Sequence, residues 1–269
     1  MSGASYPARP AGSLLAMQVG AVARRSILRA ARQPANIIAP IVFPLALLAV
    51  NSGGLEASTL LPGFPTDSFL AFAAAVPFVQ GALFSTMNNG TDLARDIQTG
   101  FLSRLSLTPM RGSALLAGQM AGVVVLGVVQ AAVYLVVALV AGVDFKAGVP
   151  GIFVLLAFAI LVSIGFGALG SFLALRTGSG ESVQALFPVL FVFLFISSMN
   201  TPRDLIGVDW FRAAATVNPV SYLLECVRSL IVVGWDAEAL ALGFGTASAL
   251  AAASIAAAAW ALPRRMGRT

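Results

Sequence analysis

GIFVLLAFAILVSIGFGALGSFLAL, Gly151 to Leu175, runs for twenty-five residues without a charged side chain. A helix rises 1.5 Å per residue, so about 20 apolar residues cross the roughly 30 Å of hydrocarbon in a bilayer. This segment is long enough to span, and it is not alone. The 269-residue chain is 58% hydrophobic and only 10% charged, more apolar surface than a soluble core of that size buries. Backbone groups in lipid must be satisfied within the segment, which favours helices. The ten-residue alternation of a membrane barrel is absent. The chain therefore reads as an all-α integral membrane protein.

Working outward, six spans are expected: Pro34 to Val50, Phe69 to Asn88, Ala114 to Ala141, Gly151 to Leu175, Val183 to Ser198 and Ala237 to Leu262. With the N-terminus inside, twelve of the sixteen basic residues fall on cytoplasmic segments, as the positive-inside rule requires. Arg24, Arg25, Arg29, Arg32, Arg95, Arg104, Arg111, Arg176, Arg264 and Arg265 are among them. Both termini are then cytoplasmic. Val220 to Trp235 is apolar enough to suggest a seventh span, but Glu225 and Arg228 sit in its middle, where each charge costs about 2.5 to 3.5 kcal/mol. A further crossing would also carry Arg264 and Arg265 outside. The segment is expected to dip in and return near the outer face. Residues 1–33 form a cytoplasmic N-terminus, 34–262 the six-span domain and 263–269 a basic tail.

Ser13 to Gln33 lacks the order of a signal peptide, because its arginines follow its apolar residues. Leu14, Leu15, Val19, Val22, Ile27 and Leu28 recur at roughly helical spacing against Arg24, Arg25, Arg29 and Arg32, the pattern of a helix lying in the membrane interface. Pro34 ends it.

Chemistry of the chain's own is poorly supported. There is no histidine, one cysteine and one lysine, Lys146, in an outer loop. His/Cys metal sites, serine–histidine dyads and a G-x-x-x-x-G-K-[ST] phosphate loop are excluded. Gly165, Gly167 and Gly170 spell G-x-G-x-x-G inside a span, with none of the strand and turn that a dinucleotide site needs. Small-residue ridges at Ser163, Gly167, Ser171 and at Ala114, Gly118, Gly122 suit close helix packing. Asn89-Gly90-Thr91 is a glycosylation sequon by pattern, but lies on the cytoplasmic side. No Asp, Glu, Lys or Arg falls securely inside the first five spans, so ion-coupling groups of a secondary transporter are missing. Gln80, Gln130 and Gln184 are the polar groups there, suited to inter-helix hydrogen bonds.

The loop DLARDIQTGFLSRLSLTPMRGSALLAGQ, from Asp92, resembles the segment after the second span of type-2 ATP-binding-cassette exporter permeases, with Asp92 or Asp96 in place of that family's Glu. NPVSYLLECVRSLIVVG, Asn218 to Gly234, is similar to the same family's segment between its fifth and sixth spans. The chain is most similar to the daunorubicin-resistance-type permeases of actinobacteria, and fifteen Arg to one Lys suits a GC-rich genome. The resemblance implies a permease subunit of an ATP-driven exporter in the plasma membrane. Its partners would be a second permease subunit and cytoplasmic ATPase subunits, with the bilayer around it and no nucleic acid. The chain would hold no cofactor; ATP and magnesium belong to the ATPase. The cargo would be an amphipathic drug or lipid-like compound, with lipid-linked polysaccharide or an ATPase-independent secondary transporter as alternatives. A short helix over Leu93 to Leu105 is expected to seat in an ATPase cleft. Asp92, Arg95, Asp96, Gln98, Gly100, Leu102, Arg104 and Leu105 would make the contact, and Thr108, Pro109 and Arg111 would start the next helix. Asn218, Pro219, Tyr222, Glu225 and Arg228 would form an outer gate, with Glu225 paired to Arg228 across one helical face.

Overall fold

The computed structural model describes residues 11–107, 110 and 112–266. The helices are α1 (Ala11–Ala31), α2 (Ala35–Leu55), α3 (Phe69–Ala73), α4 (Val76–Gln98), α5 (Phe101–Ser106), α6 (Gly112–Val140), α7 (Gly148–Thr177), α8 (Gly180–Ala185), α9 (Phe187–Phe195), α10 (Asp209–Val217), α11 (Pro219–Arg228) and α12 (Ala237–Met266). No strand occurs among the described residues. Five helical stretches there are long and apolar enough to cross a bilayer: Asn36–Leu60, Phe69–Gln98, Gly112–Val140, Gly148–Thr177 and Ala237–Arg265. The fifth expected span is shorter, Gly180–Phe195, and is broken at Leu186, just before Pro188. The segment expected to dip, Val220 to Trp235, falls in α11 and the turn after it; α10 and α11 meet at an 80° bend at Asn218, a shape that a re-entrant loop and a broken span share. Beyond α11 the helix widens into a π turn, Ser229–Val233, and reverses at Gly234 with φ 106°.

α7 stands at the centre because its glycines admit three neighbours on different sides. A side chain at Gly165 would press on Ala251 and Leu250 of α12, one at Gly167 on Val123 of α6, and one at Gly170 on the Thr86 carbonyl of α4. The G-x-G-x-x-G pattern is thus a helix-packing device. Ser163 lies against Gly127 of α6, while Ser171 serves the contact with α4: Asn89 of α4 donates to the Gly167 carbonyl and to Ser171, each at 2.7 Å. That buried bond, rather than a sugar acceptor, is the use the fold makes of the sequon asparagine.

The second small-residue ridge receives α1. Side chains at Gly118 and Gly122 would meet Val22 and Ser26, so the N-terminal helix lies along the first turns of α6 with Val22 buried. α4 is the most enclosed span. α2 keeps most of its surface outward, with Val42 and Val50 exposed. It contains Pro40 and Pro44, tolerated because a neighbour takes up a freed carbonyl: the Tyr134 hydroxyl donates to that of Pro40.

Candidate functional site

Two regions carry the expected residues, one at each end of the bundle. At the first end, α4 does not stop at Asn88. Leu93, Ala94 and Asp96 continue its buried side, so helical packing continues to Gln98. Gly100, at φ 68°, then turns the chain into α5, a left-handed position that glycine takes without strain. The expected helix over Leu93 to Leu105 is therefore two helices meeting at an elbow.

The elbow is held from beneath by α1. Asp96, 3% exposed at its side chain, accepts from Arg25 at 2.6 and 2.8 Å and from Arg29 at 2.6 Å. Arg29 also donates to the Asp92 carbonyl at 3.3 Å, and Arg25 lies 3.8 Å over the Phe101 ring. Asp96 thus faces inward as a clasp on α1 and does not present its carboxylate to a partner, whereas the Asp92 carboxylate, 28% exposed, lies 3.9 Å from Arg29. Gln98 ties the elbow to the next connection by donating to the Gly178 carbonyl at 3.3 Å.

Leu102 is buried and Leu105 packs beside it, against the cluster of Leu93, Leu115, Leu175 and Leu262. These two leucines fasten the elbow to the bundle, which corrects their expected place in an outward apolar contact. The residues that do face out are Arg95, Gln98, Thr99, Arg104 and Leu107, the last 87% exposed. Arg104 donates back to the Thr99 carbonyl at 3.3 Å, holding the elbow's outer rim. Leu107 has no special pattern around it, and only the direction of α5 marks it out. Thr108, Pro109 and Arg111, with the cap and helix start assigned to them, lie outside the described residues. Arg95 is exposed and lines a polar pocket with Asp92 and Gln98.

At the opposite end, Asn218 caps α11 by accepting from the Val220 amide at 3.0 Å, and its own amide donates to the Phe193 and Ile196 carbonyls of α9 at 2.5 and 2.7 Å. Pro219 occupies the first helical turn, where its missing amide costs nothing. Tyr222 donates to the Thr216 carbonyl at 2.8 Å. Glu225 does not pair with Arg228. It pairs with Arg203 at 2.7 Å, and Arg203 also lies 4.6 Å over the Tyr222 ring. Burial works against the Arg203 charge, but the Glu225 carboxylate and, less strongly, Tyr222 together offset it and raise the Arg203 pKa.

Arg228 turns the other way, into the protein. Its guanidinium donates to the carbonyls of Phe72 at 3.2 Å, Ser198 at 3.0 Å and Met199 at 3.3 Å, with the Phe72 ring 3.5 Å away. The i, i+3 spacing of Glu225 and Arg228 puts them on neighbouring faces, and each finds a better partner on another element. A cavity of about 400 Å³ opens beside them, lined in part by Phe72, Arg203, Glu225, Arg228 and Asp236.

Among the described residues no three His, Cys, Asp or Glu side chains gather as a metal site would need. The arrangement is a braced elbow at one end, a clasped bent element at the other, and spans between. Residues 17–232 match the ABC-2 type transporter family. The chain is 28% identical over 201 residues to the daunorubicin resistance ABC transporter permease protein of Streptomyces coeruleorubidus, covering 72% of this chain and 66% of that one. It is 26% identical over 215 residues to a putative transport permease of Porphyra purpurea, covering 78% and 72%, and 24% identical over 212 residues to one of Cyanophora paradoxa, covering 77% and 71%.

Proposed function

Because the chain belongs to the ABC-2 type transporter family and is a permease subunit by that membership, we propose that it works in the plasma membrane as half of an exporter for an amphipathic drug or lipid-like compound. Two permease subunits, identical or paralogous, assemble with two cytoplasmic ATPase subunits. In this reading both termini and the elbow of α4 and α5 face the cytoplasm, which the excess of arginine on those segments supports.

The observation that carries this reading is the elbow. Its underside is locked to the chain through Asp96, Leu102 and Leu105, so its outer rim of Thr99, Arg104 and Leu107 is presented rigidly. A push on that rim reaches α4 directly, α1 through the Asp96 clasp, and α6 through the Gly118 and Gly122 seat of α1. Energy comes from outside the chain, since no phosphate loop is present.

The test is reconstitution. Purified alone, the chain binds no nucleotide; co-expressed with its cognate ATPase, it forms a complex whose hydrolysis rises with an exported amphipath in sealed vesicles. Nucleotide binding by the isolated chain, or export that continues without any ATPase, overturns the proposal.

A further inference from the structure

Val22 and Ser26 seat α1 on α6, and a different face of α1 carries a groove of about 570 Å³, lined by Arg24, Arg25, Leu28, Arg29, Arg32 and Gln33. Four arginines share this wall, and no acid among the described residues lines it. Arg24, Leu28 and Arg32 follow one another at intervals of four and so form a stripe, with Arg25 and Arg29 beside it. Arg25 and Arg29 are offset in part by Asp96 and, at 3.9 Å from Arg29, by Asp92. Arg24 and Arg32 are exposed and make no ion pair or side-chain hydrogen bond among the described residues. Two positive charges are thus left without a counter-ion.

The depth of the groove follows from its neighbours. Ser26 lies against Gly122, and eighteen residues of α6 follow, to Val140. At 1.5 Å per residue they rise about 27 Å, close to the hydrocarbon thickness of a bilayer. The level of Ser26 is therefore the edge of the hydrocarbon, where lipid phosphates lie. The other end agrees: Gln33 lines the groove, and the first span begins three residues later, at Asn36. Past that point α2 exposes Ile38 and Val42 to acyl chains, and Leu28 is itself 38% exposed among the arginines.

We propose that this groove binds the phosphate of an anionic phospholipid, such as phosphatidylglycerol, in the leaflet beside α1. A guanidinium pairs with phosphate oxygens through two parallel hydrogen bonds. Each arginine near an anionic surface strengthens the attraction about fivefold. A zwitterionic head such as phosphatidylcholine brings a trimethylammonium against the same row of arginines, which cancels much of the gain. The bound lipid holds α1 from the membrane side as Asp96 holds it from the protein side. The inference takes the side of the membrane from the reading above but concerns lipid binding, which needs neither cargo nor ATPase.

The experiment reads that binding directly. The full chain in an uncharged detergent is titrated with phosphatidylglycerol, with phosphatidylcholine of the same acyl chains and with soluble glycerol phosphate, and bound species are counted by native mass spectrometry. Phosphatidylglycerol is expected to saturate at a lower concentration than phosphatidylcholine, and glycerol phosphate to compete weakly because it has no tails. Arg24→Gln and, separately, Arg32→Gln should each raise the half-saturating phosphatidylglycerol concentration about fivefold and leave phosphatidylcholine binding unchanged. Both side chains are exposed, so an unchanged melting temperature checks that the fold is intact. Arg176→Gln removes an exposed arginine at the end of α7, outside the groove, and should change neither lipid's binding.

Equal weakening by Arg176→Gln would mean diffuse attraction to a basic end of the bundle and would overturn the site. Phosphatidylglycerol binding that ignores both groove substitutions, or glycerol phosphate that binds as tightly as the lipid, would overturn it too. If the two lipids bind alike and the groove variants instead lose the ATPase on co-purification, the groove belongs to an acidic partner protein and the lipid assignment is wrong. Saturable binding that depends on Arg24 and Arg32, in a reconstituted complex that exports nothing, would keep the site and remove the export reading. Export with no such binding would do the reverse.

Discussion

Arg25 and Arg29 at the elbow, both partly exposed, and the buried Arg228 at the opposite end each hold the chain together, but their partners differ in kind. At the elbow, two arginines converge on one carboxylate, Asp96. At the opposite end, one arginine is shared among three backbone carbonyls and a phenyl ring, and the nearby Glu225 is taken by Arg203. A side-chain clasp joins two helices and leaves each able to exist without it. A backbone clasp fixes the path of the chain, because one side chain joins carbonyls of α3 and of the loop after α9. The first suits a joint through which force passes, and the second suits a fixed anchor beside which a gate opens.

If that contrast is right, Arg228→Met has the largest effect. It strands three buried acceptors, each costing about 1 to 3 kcal/mol, and should lower stability by roughly 3 kcal/mol or more in a nanodisc melt, with Arg228→Lys in between. A melt unchanged in Arg228→Met would show that the anchor is ornamental.

Asp96→Asn comes next. Arg25 and Arg29 are each partly exposed, so water takes up much of the loss and about 1 to 2 kcal/mol is expected. The sharper signature is local: amide hydrogen exchange in α1 should quicken while that of α7 stays slow. Uniform quickening across the bundle would mean that Asp96 is an anchor like Arg228.

A smaller effect is expected where the half-buried Arg203–Glu225 pair is cut. Glu225→Gln should cost about 1 kcal/mol, and exchanging the two charges, Arg203→Glu with Glu225→Arg, should recover most of it. The exchange of Glu225 with Arg228 should recover nothing, since those two do not meet. Asp209→Asn, which removes an exposed pair to Arg212, should leave melting and transport unchanged; any measurable loss would show that exposed pairs matter here too.

Five of the six expected spans were legible because length and the absence of charge are properties of a segment by itself; the fifth in order, Val183 to Ser198, is shorter and broken at Leu186. The small-residue ridges of α6 and α7 were legible as packing surfaces for the same reason, though not which helix each would receive. Partner choice was not legible. Asp96 and Arg25 lie 71 residues apart, and Arg228 and Phe72 156 apart, distances over which local pattern says nothing. The i, i+3 spacing that suggested a Glu225–Arg228 pair is only permissive, and tertiary partners displaced it. Leu102 and Leu105 read as outward contacts because they neighbour charges, yet the turn at Gly100 rotates α5 so that both face the bundle and Leu107 faces away. The π turn after Arg228 has no sequence mark at all.

The central claim is that the elbow's outer rim, not its buried leucines, receives the push of an ATPase, and Leu107 tests it most directly. Leu107→Asp places a charge on a side chain that already faces water, so the subunit should insert, fold and melt as the parent does. Co-expressed with its ATPase, that variant should lose co-purification and substrate-stimulated hydrolysis, whereas Leu105→Asp should instead damage the fold. If Leu107→Asp assembles fully, and its ATPase still answers to substrate and drives export at the parent rate, the rim is no docking surface and this account of coupling is wrong.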